Sequence, residues 1–519
     1  MFLKKIHIDN YKIFHDIEMN FEKSNISNVF SLASVNGGGK STLLQFIFIM
    51  LNCFMDESKK VYIKNLLECI DFKNDNENKL INFIINHDNI DYNLDFLIVS
   101  PTFQDIEFYL YDERKKLKTH LMDLNRKLRQ LDREFKSMRY EDERFIYNKL
   151  TRDENLFSNK KDEQRYKKDL KQEQDLIKSE LHLVSHHWEN LQIDLKNNGL
   201  QYITHIDDEN ILLIKTDMDN ELLKKLSKKV FLASPSSQVF HFFQKEVKNL
   251  IFKSLKNEEK QEKSYSQRIE DSKRDIKNFF TYDFFSSEII LEAFEKSFKE
   301  DRKLKVSKGK YGNNFDELSQ ILEKFLEDKI ISVNEDFSRV IYKFKNTKQE
   351  LSPIDLSHGE LKKLSIFIWL KYLVEEDSIV LMDEVDIALH PSWQYDLVDE
   401  LEEWSKGTQF FIATHSAQIL SSTYYKNLVL LDKKNNKSIV QQLDKPLDNN
   451  DINSVVDLIM GTNHLPKKLD KLHIQYRKLV KDGKDKSDEA NQIKNKILEW
   501  ESINSSFFRR IDFFKKMKK

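Results

Sequence analysis

This chain has little cysteine, glycine and proline and almost no net charge. Its 519 residues include 2 cysteines, 10 glycines and 6 prolines. The two cysteines, Cys53 and Cys69, cannot build a disulfide framework or a cysteine-rich zinc site. Lys and Arg number 84 against 86 Asp and Glu, which gives a formal charge of −2. A globally basic protein that coats DNA is therefore excluded, and any contact with nucleic acid would need a local patch.

Long hydrophobic runs are missing as well. The longest apolar stretch, from Leu43 to Met55, is interrupted by Gln45 and Asn52 and is too short to span a bilayer. The first residues form an alternating strand pattern instead of an apolar leader segment. We expect a cytoplasmic protein without a membrane domain. Hydrophobic residues make up 39% of the chain, which is enough for a core, and the length allows about three domains.

The scarcity of glycine makes its one cluster informative. The cluster follows an apolar run at 27–33 and precedes an apolar helix predicted over 43–54. A strand, a glycine loop, Lys-Ser-Thr and a helix form the order of a P-loop, whose backbone amides and helix dipole bind phosphate. We predict an ATP-binding loop formed by Ser34, Asn36, Gly37, Gly38, Gly39, Lys40, Ser41 and Thr42.

Two side chains of this loop have specific predicted roles. Lys40 would bridge the β- and γ-phosphates, and Ser41 would bind Mg²⁺. Ser34 stands where the usual pattern has its first glycine, which weakens the match only slightly because the later glycines are present. The alternative, a chance glycine turn before a helix, is much less favoured.

A second group of polar residues follows two apolar strands in the last third of the chain. The first strand ends in Asp383 and Glu384, and burying two unpaired acids would be costly without a function. Asp383 suits Mg²⁺, and Glu384 suits the base that orients or polarises the attacking water. The second strand, at 409–414, is followed by His415. A lone histidine at a strand end is usually structural, but in this company we expect it to reach the γ-phosphate and to act in catalysis with Lys40 and Glu384.

A third motif opens the helix predicted to carry Leu364 to Leu373. Ser357 is expected to cap this helix, and Gly359 allows a close backbone approach, so the helix start is a second anion site that would contact ATP. A single chain needs only one phosphate cradle. Two cradles are explained if two chains face each other and each completes the ATP site of the other.

Together these motifs resemble the ABC-class ATPases, in the branch of structural-maintenance, RecF-like and OLD-like proteins. The motifs occur in the order typical of that class. The resemblance implies an α/β fold built as an ABC-type P-loop ATPase head, ATP and Mg²⁺ as cofactors, and a nucleotide sandwich between two heads. The matching segments are the opening Ile8 to Phe14, the signature Leu356 to Glu360 with His358 in place of the usual glycine, the Walker B motif Met382 to Glu384, the D-loop Asp386 to Pro391 and the switch-histidine segment Ala413 to Ser416.

The glutamine loop of this class is harder to place. Gln238 follows a predicted strand, and the resemblance implies that it contacts both ATP and the metal ion. Gln104, which follows another apolar run, is the rival. A solvent-facing glutamine is the alternative for either position.

Two heptad seams predict a coiled-coil arm inserted in the head. Apolar residues recur at steps of four and three, which is the pattern of a coiled coil. Because a charged stretch at 139–165 separates the seams, we predict an antiparallel hairpin that leaves the head at 105–111 and returns at 201–205. Independent helices packed on the head are the alternative. The seams are Leu117, Leu121, Leu124, Leu128, Leu131, Phe135 and Met138, and then Leu170, Ile177, Leu181, Val184, Trp188 and Leu191.

These patterns divide the chain into six segments. The arm and a helical lobe interrupt the head, and a helical appendage follows it. The predicted segments are the N-terminal head lobe with the P-loop at 1–112, the arm at 113–195, head strands with the glutamine loop at 196–250, the helical lobe at 251–350, the C-terminal head lobe at 351–445 and a helical partner-docking appendage at 446–519.

The sequence after His415 lacks nuclease motifs. No two aspartates there are spaced as in the Asp-x-Asp pair of a TOPRIM domain, and no Cys/His-rich stretch suggests an HNH nuclease. The phenylalanine pairs Phe507, Phe508, Phe513 and Phe514 suggest a docking surface or packing on the head. An ATPase with an arm, a helical appendage and no nuclease of its own resembles the Septu-type ATPases of anti-phage defence, including those encoded beside retrons.

That resemblance implies partners for this chain. It would form a homodimer or a higher homo-oligomer through composite ATP sites and would gate a separate, HNH-type nuclease. If it is associated with a retron, a reverse transcriptase and structured RNA or DNA would join the complex. The alternative is a DNA repair or recombination ATPase that binds DNA directly through its heads and arm. A scaffold that uses nucleotide only to order itself is a third option.

Overall fold

The computed structural model describes most of the head, two helices of the predicted arm and the C-terminal helices. Strands and helices both form the head, and the α/β fold predicted from the sequence is confirmed. The residues described are 1–34, 37–68, 70, 77–99, 116–129, 160–197, 199–207, 210–235, 242, 274, 276, 278–282, 286–326, 328–347, 349–351, 355–434, 437–446, 452–461 and 465–517.

The first layer is a six-stranded antiparallel sheet. Its strands are β1 Phe2–Tyr11, β2 Phe14–Asn20, β4 Glu77–His87, β5 Ile90–Val99, β6 Leu200–His205 and β7 Ile211–Thr216. They lie in the order β2-β1-β4-β5-β7-β6. The strand β6, predicted as one half of the base of the arm, pairs with β7. The other predicted half, 105–111, lies outside the described residues.

The second layer is a seven-stranded, mostly parallel sheet. Its strands are β3 Val29–Ser34, β8 Val230–Ser234, β9 Phe279–Thr281, β13 Ile379–Asp383, β14 Gln409–Ala413, β15 Leu428–Lys434 and β16 Lys437–Gln442. They lie in the order β16-β15-β3-β14-β13-β8-β9, and only the pair of β15 and β16 is antiparallel among these described strands. Every residue of β3, β8, β13 and β14 is buried, as expected for parallel strands covered on both faces.

The helix Lys40–Cys53, called the P-loop helix below, packs against both large sheets. Of its 14 residues 12 are buried. Its side chains share one hydrophobic core with residues of the first sheet, such as Phe83, and of the second sheet, such as Leu381. A helix that is apolar all round must be buried in this way. Its burial holds the glycine loop that precedes it at the carboxyl end of β3.

The opposite face of the second sheet is covered by helices that carry the remaining motifs. Their apolar residues form a second core with β3, β8, β13 and β14. The three helices named below are the signature helix His358–Ile368, the D-loop helix Pro391–Trp404 and the switch helix Ala417–Ser422. Two further helices, Lys60–Leu67 and Asn220–Lys228, pack on the P-loop helix.

The segment 251–350, predicted as a helical lobe, contains strands as well as helices. The described helices are Ser286–Lys308 and Asn314–Phe325. A small antiparallel sheet follows, with the strands β10 Lys329–Val333, β11 Val340–Phe344 and β12 Glu350–Leu351. The aromatic residues near 280 form the strand β9, which extends the large parallel sheet at its edge.

Two helices, 116–129 and Lys160–Asn197, carry parts of the two heptad seams. They pack together through a small cluster that contains Leu124, Leu170 and Ile177. The Gln174 side-chain amide donates to Asn125 Oδ1 over 2.5 Å, which adds a polar contact. The hairpin tip and the residues 130–159 lie outside the described part of the chain, so the coiled-coil arm and its bounds stay a prediction.

The last three helices form a compact group, called the C-terminal unit below. They are Lys467–Lys481, Asp488–Leu498 and Ser506–Met517, and they share a hydrophobic core of their own. Phe507 and Phe508 are buried in this core, and Phe507 stacks on His473 with ring centroids 3.7 Å apart. The expectation that these two phenylalanines form a docking surface or pack on the head is therefore wrong, because the unit's own helices enclose them. Phe513 is exposed.

Candidate functional site

The order of the second sheet brings together motifs that are distant in the sequence. The strands β3, β14 and β13 are direct neighbours, and all three run in the same direction. Their carboxyl ends therefore lie at one edge of the sheet. The glycine loop follows β3, His415 follows β14, and β13 ends in Asp383. The sheet thus places Lys40, Asp383, Glu384 and His415 at one site, as the sequence predicts.

Lys40 lies at the centre of this site and is buried. Its Nζ donates to Ser34 Oγ over 2.8 Å and is 2.8 Å from His415 Nε2. Burial lowers the pKa of Lys40, and the carboxylates of Asp383, Asp386 and Glu384 counteract part of that effect. Burial, together with the charge of Lys40, also lowers the pKa of His415. A neutral imidazole whose Nε2 accepts a hydrogen bond from Lys40 Nζ fits both shifts.

Ser34 has a role that its place in the motif does not reveal. It replaces the usual first glycine, and its hydroxyl accepts the hydrogen bond of Lys40. A Cβ added to Gly38 would lie only 2.6 Å from Ser34 Cβ and from the Leu431 carbonyl oxygen. Ser34 therefore fills space beside the loop, and the loop in turn needs glycine at position 38.

Gly39 is required by both its conformation and its surroundings. Its φ of +90° is one that residues with a side chain rarely adopt. An added Cβ would lie 2.7 Å from Ile13 Cδ1 and from Phe14 Cζ. The turn between β1 and β2 thus packs directly on the loop, which explains why the opening segment Ile8 to Phe14 accompanies it.

Asp383 places a buried carboxylate beside Ser41. Ser41 Oγ donates to Asp383 Oδ1 over 3.0 Å, whereas the buried Oδ2 atom has no partner among the described residues. Burial raises the pKa of Asp383 to about 7, and the hydrogen bond from Ser41 opposes the rise. An unpartnered carboxylate oxygen beside a hydroxyl is a donor set that suits Mg²⁺. Ser41 and Asp383 therefore fit the predicted magnesium site.

Glu384 begins a tight turn that continues into the D-loop. Its backbone N–H donates to the Ala413 carbonyl over 2.9 Å, which joins the turn to β14. Thr414 Oγ1 donates to Asp386 Oδ1 over 2.6 Å, so the D-loop is also joined to the segment that carries His415. Sequence reasoning did not identify Thr414, although its place between Ala413 and His415 in the switch-histidine segment was a usable signal.

The signature motif forms the cap of its helix. Ser357 Oγ accepts from the Glu360 N–H over 3.2 Å, and Glu360 Oε2 accepts from the Ser357 N–H over 2.8 Å, so the predicted cap is a full capping box. Lys329 pairs with Glu360 over 2.7 Å and supports the box from the small sheet. Ser357 itself is exposed at the helix start.

Gly359 contacts the D-loop of its own chain. A Cβ built at this position would lie 2.6 Å from the Ala388 carbonyl oxygen. Gly359 is thus placed against the D-loop. The predicted contact of Ser357 and Gly359 with the ATP of a second chain stays a prediction. Asn36, Gln238 and the rival Gln104 lie outside the described residues.

Within the described ranges, no helix has the length and hydrophobicity that crossing a membrane requires. Likewise, no cluster of three or more His, Cys, Asp or Glu side chains suitable for a metal ion occurs in the part of the chain that the structure describes. The Ser41 and Asp383 pair differs from such a cluster because a bound nucleotide would supply further oxygen ligands.

Comparisons with known proteins agree with the motifs. The sequence model of the family described as "AAA domain, putative AbiEii toxin, Type IV TA system" matches residues 35–421. The chain is 45% identical over 53 residues to the Retron Ec83 probable ATPase of Escherichia coli, which is 10% of either chain. It is 28% identical over 121 residues to the Retron Vc95 probable ATPase of Vibrio cholerae serotype O1 biovar El Tor, covering 22% of this chain and 23% of that protein.

A third relative belongs to a system of another kind. The chain is 23% identical over 219 residues to the Septu protein PtuA of Bacillus mycoides strain KBAB4, covering 39% of this chain and 31% of that protein. The matched segments thus span between 10% and 31% of these three relatives' own lengths. The predicted resemblance to Septu-type and retron ATPases is confirmed by these matches.

The solved structures that resemble the chain include SMC heads. The SMC head domain from Thermotoga maritima has a TM-score of 0.37 and 9% identity, over 86% of this chain and 100% of that one. The SMC head bound to the C-winged helix domain of ScpA has a TM-score of 0.38 and 11% identity, over 86% of this chain and 99% of that one.

Proposed function

This chain belongs to the AAA-domain family whose model matches residues 35–421, and from that membership we propose that it binds and hydrolyses ATP with Mg²⁺. We further propose that it does so as a subunit of an anti-phage defence complex and gates a separate nuclease. One observation carries the ATPase proposal: Lys40, Ser41, His415 and Asp383 converge at one edge of the sheet.

The proposed reaction is an in-line attack of water on the γ-phosphate. Glu384 orients and polarises that water, and the Lys40 ammonium neutralises the charge that develops on the phosphate oxygens. His415, which is already within 2.8 Å of Lys40, contacts the γ-phosphate. Mg²⁺, when bound by Ser41 and Asp383, would neutralise charge on the β- and γ-phosphates. When ATP binds, its charged phosphate oxygens replace the Ser34 hydroxyl as the hydrogen-bond acceptor of Lys40, because they are stronger acceptors.

A second copy of the chain completes the site in this proposal. The exposed start of the signature helix offers the positive end of a helix dipole to the γ-phosphate of the partner. Ser357 and Gly359 supply that contact. The contact between Gly359 and the D-loop supports this arrangement. The D-loop follows Glu384, the proposed catalytic base, and so connects it to the start of the signature helix, which would meet the second head.

The substitution Glu384→Gln tests this reaction. It keeps the size of the side chain and removes the base, so we expect ATP turnover to fall by about 100-fold or more while ATP binding persists and ATP-bound dimers accumulate. Turnover and mass in solution should be measured with ATP and Mg²⁺. Glu376→Gln is the matched control, because Glu376 is an exposed acid three residues before β13. Normal turnover in the Glu384 variant would show that this residue is not the base.

The proposed partner is a nuclease, suspected to be of the HNH type. The names of the relatives, two retron ATPases and a Septu protein, support a role in a defence system. The C-terminal unit is the proposed docking element, because it has its own core and exposes Trp500, Ile503 and Phe513. If the chain belongs to a retron system, a reverse transcriptase with its structured RNA or DNA would also be part of the complex.

Purification of the tagged chain, expressed with its neighbouring genes, tests the partner. We expect a nuclease to co-purify and its activity to change with ATP. Lys40→Ala should abolish that dependence, whereas Lys299→Ala, at an exposed surface ion pair, should not. An ATPase that purifies alone and is stimulated by DNA, with binding that weakens steeply as salt rises, would instead support the repair alternative.

A further inference from the structure

The turn Glu384–Leu389, which joins β13 to the D-loop helix, has an unusual backbone. Glu384 has a φ of +48° and Ala388 a φ of +66°, and neither residue is glycine. Residues with a side chain adopt this region only when their surroundings hold them there. Two side chains from different helices, the buried Lys362 and the half-buried Gln394, supply these contacts.

The first of these side chains is Lys362 of the signature helix. It is 4% exposed, and its Nζ donates to the Glu384 carbonyl over 3.1 Å and to the Ile387 carbonyl over 2.8 Å. The ammonium also lies 4.3 Å from the centre of the Tyr282 ring. Hydrogen bonds from a charged donor are stronger than those between neutral groups, particularly away from water. Lys362 thus joins the signature helix to the backbone of the proposed catalytic base.

The second side chain is Gln394 of the D-loop helix. Its Nε2 donates to the Asp386 carbonyl over 3.0 Å and to the Leu389 carbonyl over 2.8 Å. Its Oε1 accepts from Ser416 Oγ over 2.7 Å. Ser416 caps the switch helix and directly follows His415. Gln394 therefore joins the turn to the segment that carries the switch histidine.

Four carbonyl groups of one turn thus accept hydrogen bonds from two side chains. We propose that Lys362 and Gln394 are positioning residues that hold Glu384 in its catalytic orientation and couple it to the signature helix and to the switch helix. This inference rests on the proposed ATPase function. The hydrogen bonds of Lys362 and Gln394 given above go to the turn and to Ser416, so we expect their loss to impair the chemical step more than the binding of ATP.

Steady-state kinetics of Lys362→Met and Gln394→Met test the proposal in the full-length chain. Methionine keeps the length and apolar stem of each side chain but cannot donate. We expect kcat to fall by about 10-fold to 100-fold, as for a small displacement of a catalytic group, while KM for ATP changes by less than about twofold. Unchanged kcat in both variants, or a loss confined to KM, would overturn the proposal.

Two matched controls separate this effect from general damage. Lys363→Met lies next to Lys362 on the same helix and removes the 2.7 Å pair with Glu400 without a described contact to the turn. Gln418 Oε1 is the second side-chain amide oxygen within reach of Ser416 Oγ, at 3.1 Å. Gln418→Met removes this contact and leaves the hydrogen bonds to the carbonyls of the turn in place. Both controls should keep kcat.

A second measurement does not depend on ATP turnover. Hydrogen exchange of the backbone amides at 384–389, without nucleotide, should become faster in Lys362→Met and Gln394→Met and stay unchanged in the two controls. Unchanged exchange would overturn the positioning role even if turnover fell. If the wild-type chain does not hydrolyse ATP, the proposed function fails, and faster exchange in the two variants still shows that they hold the turn.

Discussion

At the scale of single residues, the sequence predicts which side chains meet but not how they are paired. The residue types and spacing identified Lys40, Asp383 and His415, and the parallel strands bring them together. Ser34 was assigned to the ATP-binding loop, but its pairing with Lys40 was not predictable, because the usual pattern has a glycine at this position. Its role follows from the packing of the loop, which a sequence pattern does not contain.

The hydroxyl of Ser34 gives a first prediction. Ser34→Ala removes one partner of the buried Lys40 ammonium, so we expect the ligand-free chain to lose about 1 kcal/mol of unfolding free energy. ATP supplies a replacement acceptor, so the stabilisation by ATP and Mg²⁺ should increase. Thermal unfolding with and without nucleotide measures both effects.

The matched control for this prediction is Ser31→Ala. Ser31 lies on the same strand, and its hydroxyl is 2.7 Å from Thr423 Oγ1, away from the loop. This variant should lower the melting temperature equally with and without ATP. If Ser34→Ala lowered the melting temperature by the same amount with and without ATP, Ser34 would support only the fold.

Asp383 gives a second prediction, in which pH sets the size of the effect. Its pKa is about 7 in the folded chain and 3.8 for an ordinary aspartate, so the ionised carboxylate favours the unfolded chain. The resulting loss of unfolding free energy grows between about pH 4 and pH 7 and is constant at higher pH. We therefore expect Asp383→Asn to raise the melting temperature of the metal-free chain, and to raise it more at pH 8 than at pH 5.

Measurement of unfolding in EDTA at both pH values tests this expectation. Glu376→Gln is the control, because Glu376 is an exposed acid shortly before β13, and it should show no such dependence. In the presence of Mg²⁺ and ATP, the Asp383 variant should lose turnover despite its higher stability. If Asp383→Asn melted at a lower temperature than the wild-type chain at pH 8, other groups in the folded chain would be offsetting the cost of burying the carboxylate.

At the scale of helices and strands, the continuous and periodic segments were predictable and the short, irregular ones were not. The strands before the P-loop and before Asp383, the P-loop helix and the capped signature helix match the prediction. The strand β9 was missed because its few aromatic residues have no strand periodicity and pair with the distant β8. The small sheet at 329–351 was also missed, because its strands are only 5, 5 and 2 residues long and lie in a segment rich in charged residues.

The contact between the signature helix and the D-loop gives a third prediction. Gly359→Ala would gain about 0.5–1 kcal/mol from helix propensity, but its Cβ would lie 2.6 Å from a backbone oxygen that cannot move freely. The clash should cost about 1–3 kcal/mol, so we expect a net loss of stability and slower ATP turnover.

Chemical denaturation and turnover assays measure these effects. His358→Ala is the control, since His358 is exposed and precedes Gly359 on the same helix. It should change the free energy of unfolding by less than about 0.5 kcal/mol. Wild-type stability in the Gly359 variant would show that the helix can move away from Ala388 without a penalty.

At the scale of the whole molecule, the sequence indicated where helices lie along the chain, but it did not indicate which apolar side chains are buried. A helical C-terminal segment was expected, and the structure describes there a short helical stretch at 452–459 and the three helices of the C-terminal unit. The burial of Phe507 and Phe508 was not predicted, because a pair of adjacent phenylalanines has the same sequence pattern whether it packs inside a small unit or outside it. The exposed aromatic residues of the unit are Trp500 and Phe513.

These exposed residues give a fourth prediction, about the partner. Trp500 is 51% exposed and Phe513 is 67% exposed, so the double variant Trp500→Asp, Phe513→Asp should fold normally. We expect it to keep ATP turnover and to recover at least about tenfold less of the partner in a pull-down, since aromatic side chains dominate interface energies.

Val306→Asp is the control, because Val306 is 86% exposed on a helix of the head. It should retain the partner. Full recovery of the partner with the double variant would exclude this face of the C-terminal unit as the docking site and would direct attention to the predicted arm.

The position of β3 has a consequence for the synthesis of the chain. Within the described part of the second sheet, its neighbours are β14 and β15, both of which come from beyond residue 400. On the ribosome, the strand that carries the P-loop emerges early and then has no neighbouring strand until nearly the whole head has been made. A message that is cut, or a chain that is released early, yields a product with an intact P-loop sequence but no nucleotide site. If the chain gates a nuclease, as proposed, such incomplete copies would be inert.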